Sequence, residues 1–207
     1  MPAVQGRETR GQARKSRKLL GFKRTGESMT AFKVVESRKL YEGKVISLIV
    51  DEVEYQSGQH AVREVADHPG GAAIVPLLDD GRILFVRQHR YPLREFVTEL
   101  PAGKLHPGED PFTCARRELL EETGYEAETI VPLGTIYTSP GFCTERLHLF
   151  MARGLHPGSG QRLEEGEESL TVTAVPFEEA LEMIHKGELV DAKTICGILL
   201  TKDRLRG

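Results

Sequence analysis

The alternation of apolar and polar residues divides the chain into three parts. Residues 1–29 have almost no apolar periodicity and are rich in Gly, Arg and Lys, which predicts a disordered basic leader. Residues 30–66 alternate β-branched and polar side chains, which predicts a small N-terminal segment of about three antiparallel strands. Residues 67–207 mix strands and helices without regular alternation, which favours an α+β fold with a mixed sheet over a doubly wound fold.

Turn residues and periodicity locate the elements of the third part. The turn Asp79-Asp80-Gly81 separates two apolar runs, at 72–78 and 82–88, and predicts a β-hairpin. The remaining pattern predicts strands near 130–137, 146–152 and 169–175, and closing helices over 177–185 and 191–202. The N-terminal segment would be marginal as an isolated three-stranded sheet, so we expect a partner to cover one of its faces.

One helix between these strands carries complete start and stop signals. Asp110 suits the N-cap, Pro111 the first helical position, and Gly124 the left-handed position that ends a helix. The sequence therefore predicts a helix from residue 111 to residue 123, with an apolar stripe that faces the core.

The last turns of this helix hold three carboxylates, on Glu118, Glu121 and Glu122. Like charges at this spacing repel each other by roughly a few tenths of a kcal/mol per pair, and the helix dipole also disfavours negative charge there. A hard divalent cation would relieve the repulsion, because Mg²⁺ prefers carboxylate and phosphate oxygens as ligands. Alternatively, the three residues form a solvated acidic face that pairs with Arg116 and Arg117.

The spacing of the surrounding residues decides between these two interpretations. From Gly103 to Tyr125 the chain follows a 23-residue pattern with about nine specified positions, which chance rarely produces. The specified positions are Gly103, Glu109, Arg117, Glu118, Leu119, Glu121, Glu122, Gly124 and Tyr125. Each stands at the spacing of the Nudix box, and the chain therefore resembles the Nudix hydrolases.

This resemblance implies a fold, a reaction and a set of metal ligands. Nudix hydrolases form an α/β/α sandwich around a mixed sheet, and they hydrolyse a nucleoside diphosphate linked to another moiety by attack of water at phosphorus. The implied cofactor is Mg²⁺, with Mn²⁺ or another divalent ion as the alternative. By position, Arg117 would orient a carboxylate. The implied metal ligands are the carbonyl of Ala102 and the carboxylates of Glu118, Glu122, Glu168 and, as a ligand or a neighbouring group, Glu121.

Residues outside the box narrow the resemblance to ADP-ribose pyrophosphatases, over about residues 33–200. The lead-in at 99–103 resembles that of this group, and Pro140 stands fifteen residues beyond Tyr125, as the ADP-ribose mark does. The implied reaction is Mg²⁺-dependent hydrolysis of ADP-ribose to AMP and ribose 5-phosphate. The implied substrate-binding residues are Arg63, Glu64, Arg90, Lys104, Ser139, Pro140, Gly141 and Glu145.

The acidic loop at 164–168 departs from the family pattern. The family places a catalytic glutamate and a metal-linked glutamate before a late strand, and alignment on Leu170 puts Glu168 at the metal position. Gly166 then stands where the catalytic base is often found. Glu165 or Glu167 could serve as the base after a shift of one residue, and Glu122 and Arg117 of the box complete the implied catalytic set. The loop could also be a solvated run of charge.

Two rival functions stay open at this point. The substrate could be another nucleoside diphosphate sugar such as GDP-mannose, because contacts outside the box select it. The chain could instead be a non-catalytic module that senses ADP-ribose, although the three box glutamates that such a module could lose are all present. The β-rich residues 30–66 resemble the segment through which ADP-ribose pyrophosphatases form homodimers with shared active sites, so we expect a homodimer.

Charge and composition bear on the partners and the compartment. Eight Lys or Arg against two acidic residues give residues 1–29 a charge of +6, so the rest carries −9 of the total −3. The leader has a single aromatic residue and Met29 is an alternative start, so we expect no nucleic-acid partner. No apolar run is long enough for a bilayer. Cys114, Cys143 and Cys196 lie far apart without a C-x-x-C spacing, which favours a cytoplasmic location.

Overall fold

An antiparallel sheet opens the part of the chain that the computed structural model describes, which is residues 31–163, 165 and 168–206. Its strands are β1 (Phe32–Glu42), β2 (Ser47–Tyr55) and β3 (His60–Asp67), paired in the order β1-β2-β3. The three antiparallel strands predicted from the β-branched pattern are therefore confirmed. The predicted leader over residues 1–29 lies outside the described residues.

The strands that follow form two further sheets in the described chain. A four-stranded sheet has the order β7-β4-β9-β8 and a three-stranded sheet the order β10-β5-β6. Their bounds are β4 (Gly71–Pro76), β5 (Arg82–Arg90), β6 (Glu95–Glu99), β7 (Ala102–Lys104), β8 (Tyr125–Tyr137), β9 (Arg146–Pro157) and β10 (Thr171–Pro176). β4 runs parallel to β9 and is buried along its whole length. A continuous apolar run is what a strand covered on both faces requires.

The turn at residues 79–81 forms, but the predicted hairpin around it is wrong. Gly81 has a φ of 84°, and its N–H donates to the carbonyl of Leu78 at 3.0 Å. The flanking strands share one bridge, between Leu77 and Ile83, and then enter different sheets. β7 and β9 occupy both edges of β4, and β6 and β10 occupy both edges of β5, so neither strand has an edge left for the other.

Helices cover both faces of this sheet assembly. α1 (Pro111–Thr123) follows β7, and α2 (Phe177–Lys186) and α3 (Ala192–Arg206) close the described chain. Adjacent residues of β4 reveal the two faces, because Ile74 packs with the buried residues of α1, whereas Val75 packs with those of α2 and α3. The α/β/α sandwich with a mixed sheet is therefore confirmed. Within the described residues, no helix is both long and apolar enough to cross a membrane.

The N-terminal sheet connects to the rest of the fold at the end of β3. The N–H of Ala66 donates to the carbonyl of Phe142 at 2.8 Å, and the N–H of Thr144 donates to the carbonyl of Ala66 at 3.0 Å. Every residue of β1 is exposed. The exposed large apolar side chains of this region are Phe32, Val34, Val35, Leu40, Tyr41, Val45, Ile46, Leu48 and Val62. The predicted division of the body into residues 30–66 and 67–207 stays a prediction.

Candidate active site

Helix α1 begins and ends where the sequence predicts. The Asp110 carboxylate accepts hydrogen bonds from the N–H groups of Phe112 and Thr113, at 2.9 and 3.2 Å. Gly124 ends the helix with a φ of 76°, and its N–H donates to the carbonyl of Leu120. These caps fix the rotation of the helix, and hence which of its side chains face the sheet.

The acidic stripe of α1 faces protein. Glu118 is 8% exposed and Glu122 is 2% exposed, while Glu121 is partly buried. Carboxylates are seldom buried to this extent unless they are paired or coordinate a metal. The alternative interpretation of a solvated acidic face therefore does not hold for Glu118 and Glu122.

Arg117 connects this stripe to a further carboxylate of the box. Its Nε and Nη2 donate to the two oxygens of Glu109 at 3.0 Å each, and its Nη1 donates to Glu118 at 2.6 Å and to Glu121 at 3.0 Å. Nη2 also donates to the carbonyl of Lys104 at 3.1 Å. One positive charge thus contacts three negative charges.

The same contacts shift the pKa values of Glu109 and Arg117. The hydrogen bonds from Arg117 lower the pKa of Glu109 to about 2, and they raise the pKa of Arg117. Burial raises the pKa of the Cys114 thiol to about 12. Since the thiolate is the nucleophilic form, Cys114 is unsuited to nucleophilic catalysis. Glu109 and Arg117 are fixed charges at physiological pH.

The lead-in to the box packs directly against the acidic stripe. The N–H of Ala102 in β7 donates to Oε2 of Glu122 at 3.0 Å. A Cβ added at Gly103 would overlap the carboxylate of Glu118. The glycine that begins the box therefore leaves the space that this carboxylate occupies.

A second charged cluster surrounds the buried carboxylate of Glu99, whose side chain is 2% exposed. Nε and Nη2 of Arg90 donate to the two oxygens of Glu99 at 2.6 Å each. Nζ of Lys193 also contacts Glu99 and lies 3.0 Å from Asp191. Burial alone would raise the pKa of Glu99, but the hydrogen bonds and charges of Arg90 and Lys193 hold it below its ordinary value. We call Arg90 and Lys193 the cation pair.

Both clusters line one cavity of about 1160 Å³. This exceeds the range of roughly 300–1,000 Å³ that small-molecule sites usually have, and leaves room for an extended ligand. The predicted site residues that line it are Arg90, Ala102, Lys104, Arg117, Glu118, Glu121 and Glu145. Anionic and cationic side chains therefore share one cavity, as a metal-bound diphosphate would require.

Other predicted substrate-binding residues lie elsewhere in the single chain. Arg63, Glu64 and Gly141 line a separate cavity of about 570 Å³ beside the N-terminal sheet. Ser139 and Pro140 belong to the loop before β9 and line neither cavity. The structure thus separates Arg63 and Glu64 from the carboxylates of α1 within one chain.

Glu145 is oriented by residues that the sequence did not indicate. The hydroxyl of Thr138 donates to Oε2 of Glu145 at 2.6 Å. Nδ1 of His68 lies 3.5 Å from Oε1 of Glu145, but this nitrogen accepts a hydrogen bond from the N–H of Gly70 at 3.0 Å. His68, Thr138 and Glu145 all line the cavity of about 1160 Å³.

The segment before the acidic loop is attached to the end of α1. Nε2 of Gln161 donates to the carbonyl of Glu122 at 2.6 Å, and the N–H of Arg162 donates to the carbonyl of Glu121 at 2.9 Å. These bonds satisfy carbonyl groups that a helix end leaves without partners. They tie the acidic loop to the helix that carries the predicted metal ligands.

The acidic loop itself is not part of the cavity lining in the described residues. Glu165 and Glu168 are exposed turn residues outside that lining, and Glu167 lies outside the described residues. No group of three or more His, Cys, Asp or Glu side chains among the described residues is placed to hold a metal ion. Glu118 and Glu121 instead both contact Arg117. The donors at the site are nevertheless carboxylate oxygens, which suit a hard divalent cation.

Sequence reasoning missed the cluster around Glu99, although the sequence contains a signal for it. Lys193 lies on the same helical stripe as the buried residues Gly197 and Thr201, at a spacing of four residues. A charged residue on a buried stripe must find a partner. That argument would have indicated Lys193, but it could not have identified Glu99 as the partner.

Comparison with known proteins identifies relatives over most of the chain. The NUDIX domain matches residues 67–196. The chain is 40% identical to the ADP-ribose pyrophosphatase of Bacillus subtilis (strain 168), across 80% of this chain and 90% of that protein. It is 38% identical to the methanol dehydrogenase activator of Bacillus methanolicus, across 80% and 90% of the two chains. It is 35% identical to the GDP-mannose pyrophosphatase of Cronobacter sakazakii (strain ATCC BAA-894), across 70% of this chain and 78% of that protein.

A solved structure shares the fold. The crystal structure of an ADP compounds hydrolase superposes with a TM-score of 0.77 and covers 87% of this chain and 97% of its own. Its sequence is 19% identical to this chain, so the likeness concerns the architecture alone.

Substitution of Gly103 by Ala tests the role of the lead-in. The added Cβ would displace the carboxylate of Glu118, which is the far end of a flexible side chain, so the fold should survive. We expect Gly103→Ala to lower turnover by about tenfold or more while the melting temperature changes little. Gly134→Ala is the matched control, because a Cβ there meets only ordinary contact with Leu200. Equal activity of both variants would contradict the prediction.

The pKa of Glu109 predicts a pH dependence of stability. Its folded pKa is about 2, below the ordinary 4.5, so the Arg117 pair stabilises the fold above pH 4.5 and this contribution is lost as pH falls towards 2. The free energies of unfolding of the wild type and Glu109→Gln, from urea denaturation between pH 7 and pH 3, should differ most near pH 7. We expect the difference to narrow below pH 4.5. A difference that grows on acidification would refute the pairing.

Proposed function

The chain belongs to the Nudix family, and on that premise we propose that it hydrolyses the pyrophosphate bond of ADP-ribose to AMP and ribose 5-phosphate. The observation that carries the proposal is the cavity in which the Nudix-box carboxylates of Glu109, Glu118 and Glu121 lie together with the cation pair. The resemblance of residues outside the box to ADP-ribose pyrophosphatases supports ADP-ribose as the substrate, as does the likeness to the Bacillus subtilis enzyme of that name.

Nudix hydrolases in general use a divalent metal ion, and we assign Mg²⁺ to this site, with Mn²⁺ as the alternative. Its ligands would be the carboxylates of Glu118 and Glu122, with Glu121 and the carbonyl of Ala102 beside them. Glu168 would join them from the acidic loop. When bound, the ion would neutralise the pyrophosphate and lower the pKa of the attacking water.

The protein's own side chains would bind and orient the substrate. Arg90 lines the cavity with a guanidinium already fixed by Glu99, and its Nη1, which takes no part in that bidentate bond, would donate to a phosphate oxygen. Lys104 lines the same cavity and would add a second positive charge. Glu145, oriented by Thr138, would accept hydrogen bonds from hydroxyl groups of the terminal ribose. Ser139, Pro140 and Gly141 lie outside this cavity lining, in the loop between Thr138 and Glu145, and from there they would support that end of the site.

Arg117 and the acidic loop would complete the catalytic arrangement. Arg117 holds Glu118 and Glu121 in place, and Glu109 holds Arg117 in turn. The catalytic base would be Glu165 or Glu167, which would accept a proton from the attacking water. Gln161 and Arg162 lie just before this loop and bond to the end of α1, which would keep the loop near the site.

We further infer that the working enzyme is a homodimer with shared active sites. The N-terminal sheet exposes many large apolar side chains, and a second copy of the chain would bury part of them. Arg63 and Glu64 stand apart from the α1 carboxylates in one chain, and the partner's copies of these residues would supply the adenosine contacts. A cytoplasmic location is in keeping with three cysteines that form no disulfide in the described residues.

A second candidate substrate is GDP-mannose, which the likeness to the Cronobacter sakazakii enzyme favours. A non-catalytic sensor of ADP-ribose would not need the buried carboxylates of Glu118 and Glu122. The arrangement therefore favours hydrolysis over sensing alone.

A substrate panel with product identification tests the proposed reaction. With Mg²⁺, we expect the wild type to convert ADP-ribose to AMP and ribose 5-phosphate faster than it converts GDP-mannose. Glu122→Gln should lower kcat by roughly a hundredfold or more, because the metal loses a charged ligand. Its fold should persist, since the amide oxygen can still accept the Ala102 hydrogen bond. Faster turnover of GDP-mannose would favour the second candidate, and no turnover of any sugar nucleotide would refute hydrolysis.

The dimer is tested by mass measurement in solution with matched variants. Leu40 and Ser37 are both exposed on β1, so neither substitution by Asp should unfold the chain. We expect light scattering to give the mass of a dimer for the wild type and for Ser37→Asp. Leu40→Asp should shift the population towards the monomer, because it places a charge in an apolar interface. A monomeric wild type at micromolar concentration would refute the dimer.

A further inference from the structure

Helix α3 reaches the cavity through its first turn. Asp191 precedes the helix, and its Oδ2 accepts hydrogen bonds from the N–H and the hydroxyl of Thr194 at 3.0 and 2.6 Å. The buried hydroxyl of Thr194 also accepts a bond from the N–H of Leu100 at 2.8 Å. Asp191, Ala192 and Lys193 line the cavity. The start of α3 is therefore bonded to the lead-in to the Nudix box, at Leu100.

Lys193 is buried at this point and is committed to two carboxylates. Its side chain is 10% exposed, and its Nζ contacts Glu99 and Asp191. A lysine seldom reaches this burial unless both its charge and its donors are satisfied. With so little of its surface accessible, Lys193 has few donors left for a ligand, although it borders the cavity.

Arg90, in the same cluster, is more accessible to a ligand than Lys193. Its side chain is 39% exposed, while Glu99 is 2% exposed. The bidentate bond to Glu99 uses Nε and Nη2, so Nη1 of this partly exposed side chain can donate to an anionic ligand. Oε2 of Glu99 accepts from both Arg90 and Lys193. The orientation of Arg90 in the cavity thus depends on a carboxylate whose other contact is Lys193.

We infer that Lys193 is a positioning residue for diphosphate binding, which acts through Glu99 to hold Arg90 in its binding orientation. This inference rests on the proposed function for its choice of substrate. Lys193 fixes one oxygen of a flexible glutamate side chain, and the fixed carboxylate then fixes the guanidinium plane. Preorganisation of this kind strengthens binding because less side-chain freedom is lost when the ligand arrives.

Lys193 lies on a helix, α3, that is held rigidly by the core. Ile198 of the same helix is fully buried in the core that α2 and α3 share with Val75 of β4. The helix cannot move relative to the sheet without disturbing this core. Arg90 on β5 and Lys193 on α3 are thereby held at a fixed separation, with Glu99 on β6 between them.

A double-mutant cycle separates a positioning role of Lys193 from a purely structural role and from direct binding of the ligand. Lys193→Met keeps the apolar stem, and Glu99 retains Arg90 as a partner, so the variant should fold. With ADP-ribose and Mg²⁺ we expect KM to rise about tenfold while kcat changes by less than about threefold. The Kd for inorganic pyrophosphate should rise in parallel. In an Arg90→Met background, Lys193→Met should change neither KM nor Kd further.

Two further variants complete the experiment. Lys193→Arg keeps the positive charge and should restore KM to near the wild-type value. Lys186→Met is the matched control, because Lys186 is an exposed lysine on α2 that pairs with Glu182 at the surface. It should leave KM and Kd unchanged.

Each outcome decides the inference. If Lys193→Met lowers only the melting temperature and leaves both KM and the pyrophosphate Kd unchanged, Lys193 is purely structural and the inference is wrong. If its effect persists in full in the Arg90→Met background, Lys193 binds the ligand directly and the inference is again wrong. If the wild type turns over no sugar nucleotide but the pyrophosphate cycle behaves as expected, the proposed function fails and the positioning role stands.

Discussion

The contact of one guanidinium with three carboxylates is the constraint on which the site depends. Arg117 contacts Glu109, Glu118 and Glu121 at once. This is possible because α1 carries Glu118 and Glu121 within one turn of Arg117, and the chain before the helix supplies Glu109. Apolar packing around these carboxylates would raise the desolvation cost of their charge. The fold therefore places three carboxylates beside a cavity, where a bound cation would stabilise their negative charge.

Rigid elements of the fold hold these carboxylates in place. α1 is fixed at both ends by caps, and its inner face packs on β4, which is buried on both faces and bordered by a strand on each side. The short strand β7 then brings the backbone of Ala102 against Glu122. Few torsions remain free between the core and the carboxylate oxygens. Sites supported in this way keep their geometry better than sites on mobile loops.

The sequence predicted the features that depend on neighbouring residues. It did not predict the features that depend on pairing between residues far apart in the chain. The bounds of α1 follow from Asp110, Pro111 and Gly124, whose preferences act within a single turn. The hairpin around Gly81 was wrong because a turn signal contains no information on which strands will occupy the edges of β4. Glu99 was overlooked as a charged centre for the same reason, since its partner Lys193 lies far along the chain and the pairing becomes visible only in three dimensions.

The parallel pairing of β4 with β9 also determines how the chain can fold. Gly71 pairs with Leu147 and Pro76 with Ala152, so the central strand cannot complete its hydrogen bonds before the segment after α1 and β8 is available. Pairings between residues so distant in sequence are formed slowly, because the intervening chain must be closed into a loop first. During synthesis on the ribosome, the apolar residues of β4 would emerge well before their partner. That interval is when this chain would be most exposed to aggregation and most dependent on chaperones.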